Sequence, residues 1–247
     1  MFSKADYTLS NFERVFLNIC TKFEQLLPAQ PCLLCGAASP HGTWCAACDA
    51  ALPYLNETHC PMCALPTFEG AVCGHCLRQP PHFTRTVAAF AYAFPLAQLL
   101  QAYKFGEQLQ LAPILAERLV RRIESLPDCI VPMPLHPLRL RERGFNQSLL
   151  LARALGKTLN VPVLSNACQR VRNTLPQSTL AWQARGKNMR QAFGCDTSVA
   201  GKHVAVVDDV MTSGASLNEL ALALKHAGAS EVSNWVVART LPHTGKS

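Results

Sequence analysis

The sequence predicts an α/β protein in which helices cover both faces of a mostly parallel sheet, preceded by a small cysteine-rich domain. Apolar runs of strand length alternate with helical patterns from about residue 83 onwards, which is typical of parallel sheets. Eight of the 12 cysteines are confined to residues 32–76. A chain of 247 residues with 49% hydrophobic content supports one medium domain and a small one. We therefore expect three regions, at residues 1–30, 31–80 and 83–247.

The first region, residues 1–30, contains a helical pattern. Apolar residues recur at helical spacing from Phe12 to Leu27, and Pro28 ends the pattern. An amphipathic helix here would dock on the rest of the protein or, alternatively, on a partner or a membrane surface. The chain shows no apolar run long enough for a signal peptide or a membrane span, so we expect a cytoplasmic protein with reduced thiols.

The second region contains four Cys-x-x-Cys pairs, and its second half repeats the cysteine spacing of the first. Two such knuckles supply the four thiolates that structural zinc prefers, so we expect two Zn²⁺ sites. A pair of redox-active dithiols is the alternative. Spacing leaves open whether the knuckles pair consecutively or interleave, and whether His41, His59 or His75 replaces a thiolate. The eight candidate metal ligands are Cys32, Cys35, Cys45, Cys48, Cys60, Cys63, Cys73 and Cys76.

Four cysteines stand outside these pairs, and the interpretation for each is a small buried residue. They are Cys20, Cys129, Cys168 and Cys195.

The third region begins after the linker "RQPPHF" and alternates strands with helices. Ligands of such sheets bind at the carboxyl ends of the strands, so residues there are candidates for a site. The predicted elements are a strand at 87–92, helices from Leu96 and from Leu111 to Ile123, a strand ending at Pro134, a helix at 146–159, a strand at 203–209, a helix at 216–228 and a strand at 231–239.

Two adjacent acids, Asp208 and Asp209, end the strand at 203–209. The small, hydroxyl-rich loop that follows opens into a helix, and such a helix start binds anions, phosphate above all. Carboxylates accept hydrogen bonds, so their partners would be sugar hydroxyls or a divalent cation. Ribose 5-phosphate satisfies both halves of the pattern. The loop residues are Thr212, Ser213, Gly214, Ala215 and Ser216.

The stretch "VAVVDDVMTSGAS" resembles the phosphoribosyl-pyrophosphate (PRPP) motif of type I phosphoribosyltransferases. The resemblance implies a type I phosphoribosyltransferase-like domain, in which Asp208 and Asp209 hold the ribose hydroxyls and residues 212–216 hold the 5-phosphate. Response-regulator receivers share the "VVDD" strand end and bind magnesium there, but carry it near the start of their domain, whereas only 38 residues follow Asp209 here.

The stretch "PMPLHPLRLRERGFNQS", residues 132–148, is a second candidate for the same site. A pyrophosphate leaving group needs Mg²⁺ and fixed donors, and we assign Arg139, Arg143 and Asn146 to it. The alternative is a solvated basic turn. Residues 170–193 resemble the flexible loop that closes over PRPP in this fold.

Positive charge is concentrated in residues 139–190, which hold ten Lys/Arg and one Asp/Glu, a net charge of +9 in a chain whose total is +7. That excess suits a nucleic-acid backbone as well as PRPP, and we expect single-stranded DNA as a partner. Trp182 lies in this stretch and either stacks on a base or is a loosely packed loop residue.

The four cysteine pairs, the "RGFNQ" loop and the PRPP motif together resemble the competence protein F (ComF) family, which includes proteins called GntX. The resemblance covers about residues 31–241 and implies a double-zinc-ribbon protein linked to transformation and the use of external DNA, with competence or DNA-processing proteins as partners. Two functions follow from it. One is a PRPP-binding module that handles single-stranded DNA; the other is a phosphoribosyltransferase with an unidentified acceptor, in which Asp208, Asp209, Arg139 and Arg143 serve catalysis.

Overall fold

The computed structural model describes residues 30–39, 44–56, 58–105, 108–171 and 192–242. Several predicted features lie outside the described residues: the N-terminal helix, Cys20, His41 and Trp182. The predicted flexible loop at 170–193 also lies outside them, apart from the two residues at each of its ends. The chain divides into two compact units, Met1–Ala51 and Leu52–Ser247. The first cysteine set therefore belongs to one unit and the second to the unit that contains the sheet. The three-region division stays a prediction.

The described residues of the first unit form a two-stranded antiparallel sheet and one short helix. Strand β1 (Gln30–Pro31) pairs with β2 (Ala38–Ser39), and helix α1 (Ala46–Ala50) follows. Trp44 is buried, and its indole N–H donates to Asp49 at 2.8 Å. These described residues carry few large apolar side chains, so a metal or a similar staple would support their fold.

The second unit contains helices and strands that alternate along the chain. Its described elements are α2 (Gly74–Arg78), β3 (Arg85–Ala91), α3 (Leu96–Lys104), α4 (Leu111–Val120), β4 (Cys129–Pro132), α5 (Pro137–Arg143), α6 (Gln147–Leu159), β5 (Cys168–Arg170), β6 (Phe193–Cys195), β7 (His203–Met211), α7 (Ala215–His226) and β8 (Glu231–Arg239).

Four of these strands form a parallel sheet in the order β3-β8-β7-β4. Helices cover both faces of this sheet. Helices α4 and α6 contact each other and the strands, while α7 packs with the opposite set of alternating strand residues.

The predicted fold class is confirmed: a mostly parallel sheet is covered on both faces and preceded by cysteine ribbons. None of the helices in the described part of the chain is long and apolar enough to cross a bilayer.

Two details differ from the sequence prediction. The basic stretch after β4 begins as a helix, α5, because His136 caps it and Pro137 occupies its first turn. Strand β7 continues through both acids to Met211, because β8 pairs with it along its whole length. Strand β4 pairs with β7 only as far as Val207, so the two acids lie beyond the end of their neighbour β4.

Candidate functional site

The two acids of β7 are held by residues from two helices that are distant in sequence. Oδ1 of Asp208 accepts hydrogen bonds from Ser148 Oγ and from the backbone N–H of Asp209, both at 2.9 Å. Lys104 Nζ, at the end of α3, lies 3.1 Å from Oδ2 of Asp209. Ser148 lies in the first turn of α6. Sequence reasoning missed Ser148 and Lys104, because only the tertiary fold brings them to the acids.

One carboxylate oxygen of this pair is buried against a lysine. Oδ2 of Asp209 is buried, and the ammonium of Lys104 lies 3.1 Å from it. A carboxylate oxygen has two lone pairs, so this contact leaves capacity for a hydroxyl donor or a cation. The site therefore fits the sugar hydroxyls or divalent ion expected from the sequence.

Burial and repulsion between the acids shape the protonation of the site. Burial raises the pKa of Asp208 to about 7, and the neighbouring charge of Asp209 adds to this, while the Ser148 hydroxyl and Lys104 oppose it. Burial lowers the pKa of Lys104, but the carboxylate of Asp209 more than offsets this, and the net shift is upward. The positively charged lysine thus remains the counter-ion of the two acids.

The loop between β7 and α7 has the geometry of a helix start. Gly214 has φ +79°, where side chains are strained, and a Cβ there would meet Met211 Cε at 2.6 Å. Gly214 caps α7, whose 12 residues begin at Ala215, and Ser213 Oγ accepts from the N–H of Ala215 at 3.4 Å. The first N–H groups of a helix have no intrahelical partner, so this end of α7 favours an anion.

Arg170 is an arginine that sequence reasoning did not single out, and its charge interacts with that of Asp208. Burial and the charge of Arg139 lower the pKa of Arg170, which Asp208 partly offsets. Burial and the charge of Arg143 lower the pKa of Arg139. The guanidinium of Arg170 lies 5.7 Å from the ring centre of Phe193. The three arginines therefore interact in sequence, and Arg170 extends this group to Asp208.

Asn146, which the sequence assigns to the pyrophosphate, caps a helix in the structure. Its Oδ1 accepts from the N–H groups of Ser148 and Leu149, which caps α6, and its Nδ2 donates to Met133 O at 3.1 Å. Arg143 Nη1 donates to Gln147 Oε1 at 3.3 Å. Asn146 thus fixes the α6 end that presents Ser148, and its contact with pyrophosphate stays a prediction.

The eight paired cysteines form two tetrads of consecutive knuckles, which answers the pairing question that spacing left open. In each tetrad all four sulfur atoms lie within 4.8 Å of one another. Sulfur pairs are 3.8 Å apart for Cys35 and Cys45 and 3.6 Å for Cys63 and Cys73. Zinc–sulfur bonds of about 2.3 Å in a tetrahedron give edges of about 3.8 Å, so both tetrads fit structural zinc.

The two tetrads also share their supporting hydrogen bonds. The N–H of Cys45 donates to Cys32 Sγ and that of Cys73 to Cys60 Sγ, both at 3.3 Å. Burial raises the pKa of Cys32, but backbone donors, first that of Cys45, lower it to about 6. These donors favour the thiolate form that a metal requires.

The structure describes two of the three histidines that were candidate zinc ligands, and neither belongs to a tetrad. His59 Nδ1 contacts the carbonyl of Asn56 at 2.8 Å, and His75 is exposed on α2. Neither of them therefore replaces a thiolate.

Two of the unpaired cysteines differ from the expectation of reduced, buried thiols. Cys168 and Cys195 form a disulfide between β5 and β6, where they are directly paired across the strands. No sequence pattern indicated that these two residues, 27 apart, would pair, since the antiparallel ribbon that aligns them was not predicted. Cys129 is free and buried, as expected.

Comparisons with known proteins agree with this architecture. The profile of the double zinc ribbon domain family matches residues 23–77. The chain is 37% identical over 221 residues to the DNA utilization protein YhgH of Escherichia coli, which covers 85% of this chain and 97% of that protein. It is 35% identical to competence protein F of Haemophilus influenzae, over 68% of this chain and 78% of that protein.

Solved structures are similar to part of the chain. The glutamine PRPP amidotransferase of Bacillus subtilis aligns with TM-score 0.37 and 18% identity, over 52% of this chain and 26% of that one. A purine phosphoribosyltransferase from Pyrococcus horikoshii aligns with TM-score 0.31 and 16% identity, over 57% and 91%. At these scores the assignment depends on the sequence relatives, and by them the chain belongs to the family of the DNA utilization protein YhgH and competence protein F.

Proposed function

We propose that the protein binds PRPP with Mg²⁺ and supports the handling of single-stranded DNA in the cytoplasm, in competence or DNA utilisation. The observation that carries the proposal is the Asp208–Asp209 pair, held by Ser148 and Lys104 beyond the end of β4 and followed by the glycine-capped start of α7. Carboxylate acceptors and an anion-binding helix end form two halves of a ribose 5-phosphate site.

The side chains divide the ligand between them. Asp208 and Asp209 accept hydrogen bonds from the ribose hydroxyls, and Lys104 keeps the acids from repelling the ligand's own negative charge. Residues 212–216 hold the 5-phosphate through backbone N–H groups and hydroxyls. Mg²⁺ would neutralise part of the charge of the pyrophosphate, and Arg139 and Arg143 would donate hydrogen bonds to the pyrophosphate oxygens.

Melting temperature in the presence of PRPP and Mg²⁺ tests this site. A ligand that binds only the folded state raises the melting temperature as its concentration rises. We expect that shift for the wild type and for the control Glu124→Gln, which removes an exposed carboxylate from another surface. The shift should vanish in Gly214→Val, because a branched side chain cannot occupy this left-handed position without displacing Met211.

The DNA part of the proposal is supported by the relatives' names, which refer to DNA utilization and competence, and by the positive charge of residues 139–190. Within that stretch the charge of Arg139 interacts with those of Arg143 and Arg170, and the charge of Arg170 interacts with that of Asp208. Single-stranded DNA offers a phosphate backbone to such a surface, and binding would be salt-dependent. Competence or DNA-processing proteins would then receive the strand.

A second candidate function is phosphoribosyl transfer to an acceptor base. It is favoured by Arg170, whose charge interacts with that of Asp208, because a departing pyrophosphate needs fixed positive donors. In that case the acceptor nitrogen forms a bond to the anomeric carbon as the bond to pyrophosphate breaks, and the acids act by positioning the ribose. Release of pyrophosphate from PRPP in the presence of each common base would establish this activity, and its absence with all of them would leave the binding role alone.

A further inference from the structure

A buried arginine at the end of β8 connects the second cysteine tetrad with the loop that starts α7. Arg239 is 2% exposed. Its Nε donates to the carbonyl of Cys63 at 2.7 Å. The two N–H groups of its Nη1 are shared among three carbonyls, those of Met211 at 3.0 Å, Thr240 at 2.8 Å and Thr212. One guanidinium therefore touches a zinc knuckle and both peptide groups at the start of the loop.

The same knuckle is held by the sheet at a second point. The backbone N–H of Thr86 donates to Pro61 O at 2.9 Å, and Thr86 Oγ1 donates to Met62 O at 2.6 Å. Three successive knuckle carbonyls, of Pro61, Met62 and Cys63, thus accept hydrogen bonds from β3 and β8. The Thr86 contacts dock the knuckle without reaching the loop, which makes Thr86 a matched comparison for Arg239.

Arg239 determines the orientation of two loop amides. In a trans peptide the C=O and the following N–H point in opposite directions. With the carbonyls of Met211 and Thr212 turned towards Arg239, the N–H groups of Thr212 and Ser213 are directed away from it. These are the first donors of the segment to which we assign the phosphate.

The peptide group of Cys63 is the point at which Arg239 meets the second tetrad. Cys63 supplies one of the four sulfur atoms of that tetrad, and its own carbonyl accepts from Arg239 Nε. A metal held by the four sulfur atoms would fix the knuckle backbone, Cys63 included. A fixed Cys63 carbonyl in turn holds the guanidinium in one orientation.

We propose that Arg239 is a positioning residue through which metal in the second tetrad orders the phosphate loop of the same unit. With metal bound, the Cys63 carbonyl would be fixed and would orient the guanidinium of Arg239, and the guanidinium holds the carbonyls of Met211 and Thr212. The inference rests on the proposed function only for the identity of the loop's ligand. By linkage, a ligand that binds the ordered loop must strengthen metal binding by the same factor by which metal strengthens ligand binding.

The test is amide hydrogen exchange of residues 211–216 in the full-length, zinc-loaded protein. We compare the wild type with Arg239→Lys, which keeps the charge but loses the fork, and Thr86→Val, which loses a knuckle contact and keeps the branched shape. The expected result is about tenfold faster loop exchange in Arg239→Lys, with exchange in β4 and α6 unchanged, and wild-type loop exchange in Thr86→Val. Chelation of zinc should accelerate the wild-type loop and have little further effect in Arg239→Lys.

A second measurement follows the release of zinc to a chelator with and without PRPP and Mg²⁺. PRPP should slow release in the wild type and in Thr86→Val but not in Arg239→Lys. Unchanged loop exchange in Arg239→Lys, or equal acceleration in Thr86→Val, overturns the inference. A third outcome separates the inference from the proposed function. If Arg239→Lys accelerates loop exchange but PRPP does not slow zinc release from the wild type, the inference is supported and the proposed ligand is contradicted.

Discussion

At the scale of single residues, the site depends on how each acid is compensated. Asp208 has a hydroxyl and a backbone donor, whereas the buried Oδ2 of Asp209 has the ammonium of Lys104. The acids themselves are visible in the sequence as a pair after an apolar run. Ser148, Lys104 and Arg170 are not, because a serine, a lysine or an arginine carries no local signal of the partner that the fold brings to it.

Asp208 predicts a dependence of stability on pH. Its pKa rises from 3.8 to about 7 on folding, so the folded protein binds this proton more tightly than the unfolded chain. The ionised carboxylate therefore lowers stability increasingly as pH rises from about 4 to about 7, by about 2 kcal/mol after allowance for its partial exposure. Asp208→Asn should stabilise the protein at pH 8 and have little effect at pH 4, as measured by urea unfolding.

The control for this prediction is Asp196→Asn. Hydrogen bonds from Ser198 lower the pKa of Asp196, which is the opposite direction. This variant should show no gain at pH 8. A gain of equal size in both variants would mean that reduced net negative charge, and not the burial of Asp208, is responsible.

Lys104 predicts a stability loss on removal of its charge. Lys104→Met leaves the buried carboxylate of Asp209 without its counter-ion and should lower the free energy of unfolding by about 2 kcal/mol. In the Asp209→Asn background the same substitution should cost much less, because no charge remains to be paired. Additive effects in this double-mutant cycle would contradict the ion pair.

At the scale of elements, α6 is placed by a glycine as much as by its apolar face. A Cβ at Gly156 would meet Val163 Cγ2 at 2.5 Å and the carbonyl of Val161 at 2.8 Å. The helix pattern was predictable, but this close approach was not, because it depends on the return of the chain after Asn160 to β4. The same holds for β7, whose extension to Met211 depends on pairing with β8.

Gly156→Ala should therefore destabilise the protein by about 2 kcal/mol, although alanine favours helix formation. Gly74→Ala in α2 is the matched control, since the nearest atom to a Cβ there is the end of a flexible arginine at 3.7 Å. Urea midpoints of the two variants make the comparison. A neutral Gly156→Ala would show that α6 can shift without cost, and that Ser148 is less firmly positioned than the structure indicates.

At the scale of the whole molecule, the sequence was sufficient for the four cysteine knuckles and for the α/β class, because spacing and periodicity are local signals, whereas the pairing of the knuckles into tetrads needed the structure. The concentration of positive charge in residues 139–190 could also be counted from the sequence alone. The disulfide between Cys168 and Cys195 and the bridge through Arg239 were beyond sequence reasoning, since both depend on which strands become neighbours.

The charge distribution predicts how binding to single-stranded DNA responds to salt. Affinity for a labelled oligonucleotide should fall steeply with added salt, with a slope of about −0.7 for each phosphate neutralised. Arg139→Gln with Arg143→Gln should weaken binding and reduce that slope by about 1. Arg121→Gln, which removes an exposed charge outside residues 139–190, should leave the slope nearly unchanged. An affinity that does not vary with salt would contradict the DNA role.

Calorimetric titration of PRPP with Mg²⁺ shows whether the two acids of β7 hold a ribose phosphate. The titration compares the zinc-loaded wild type with the double variant Asp208→Asn, Asp209→Asn. We expect saturable binding to the wild type that the double variant loses while retaining its zinc and its melting transition. Equal binding by both proteins, or no heat from either at concentrations where a tenfold weaker ligand would be detected, would contradict this expectation.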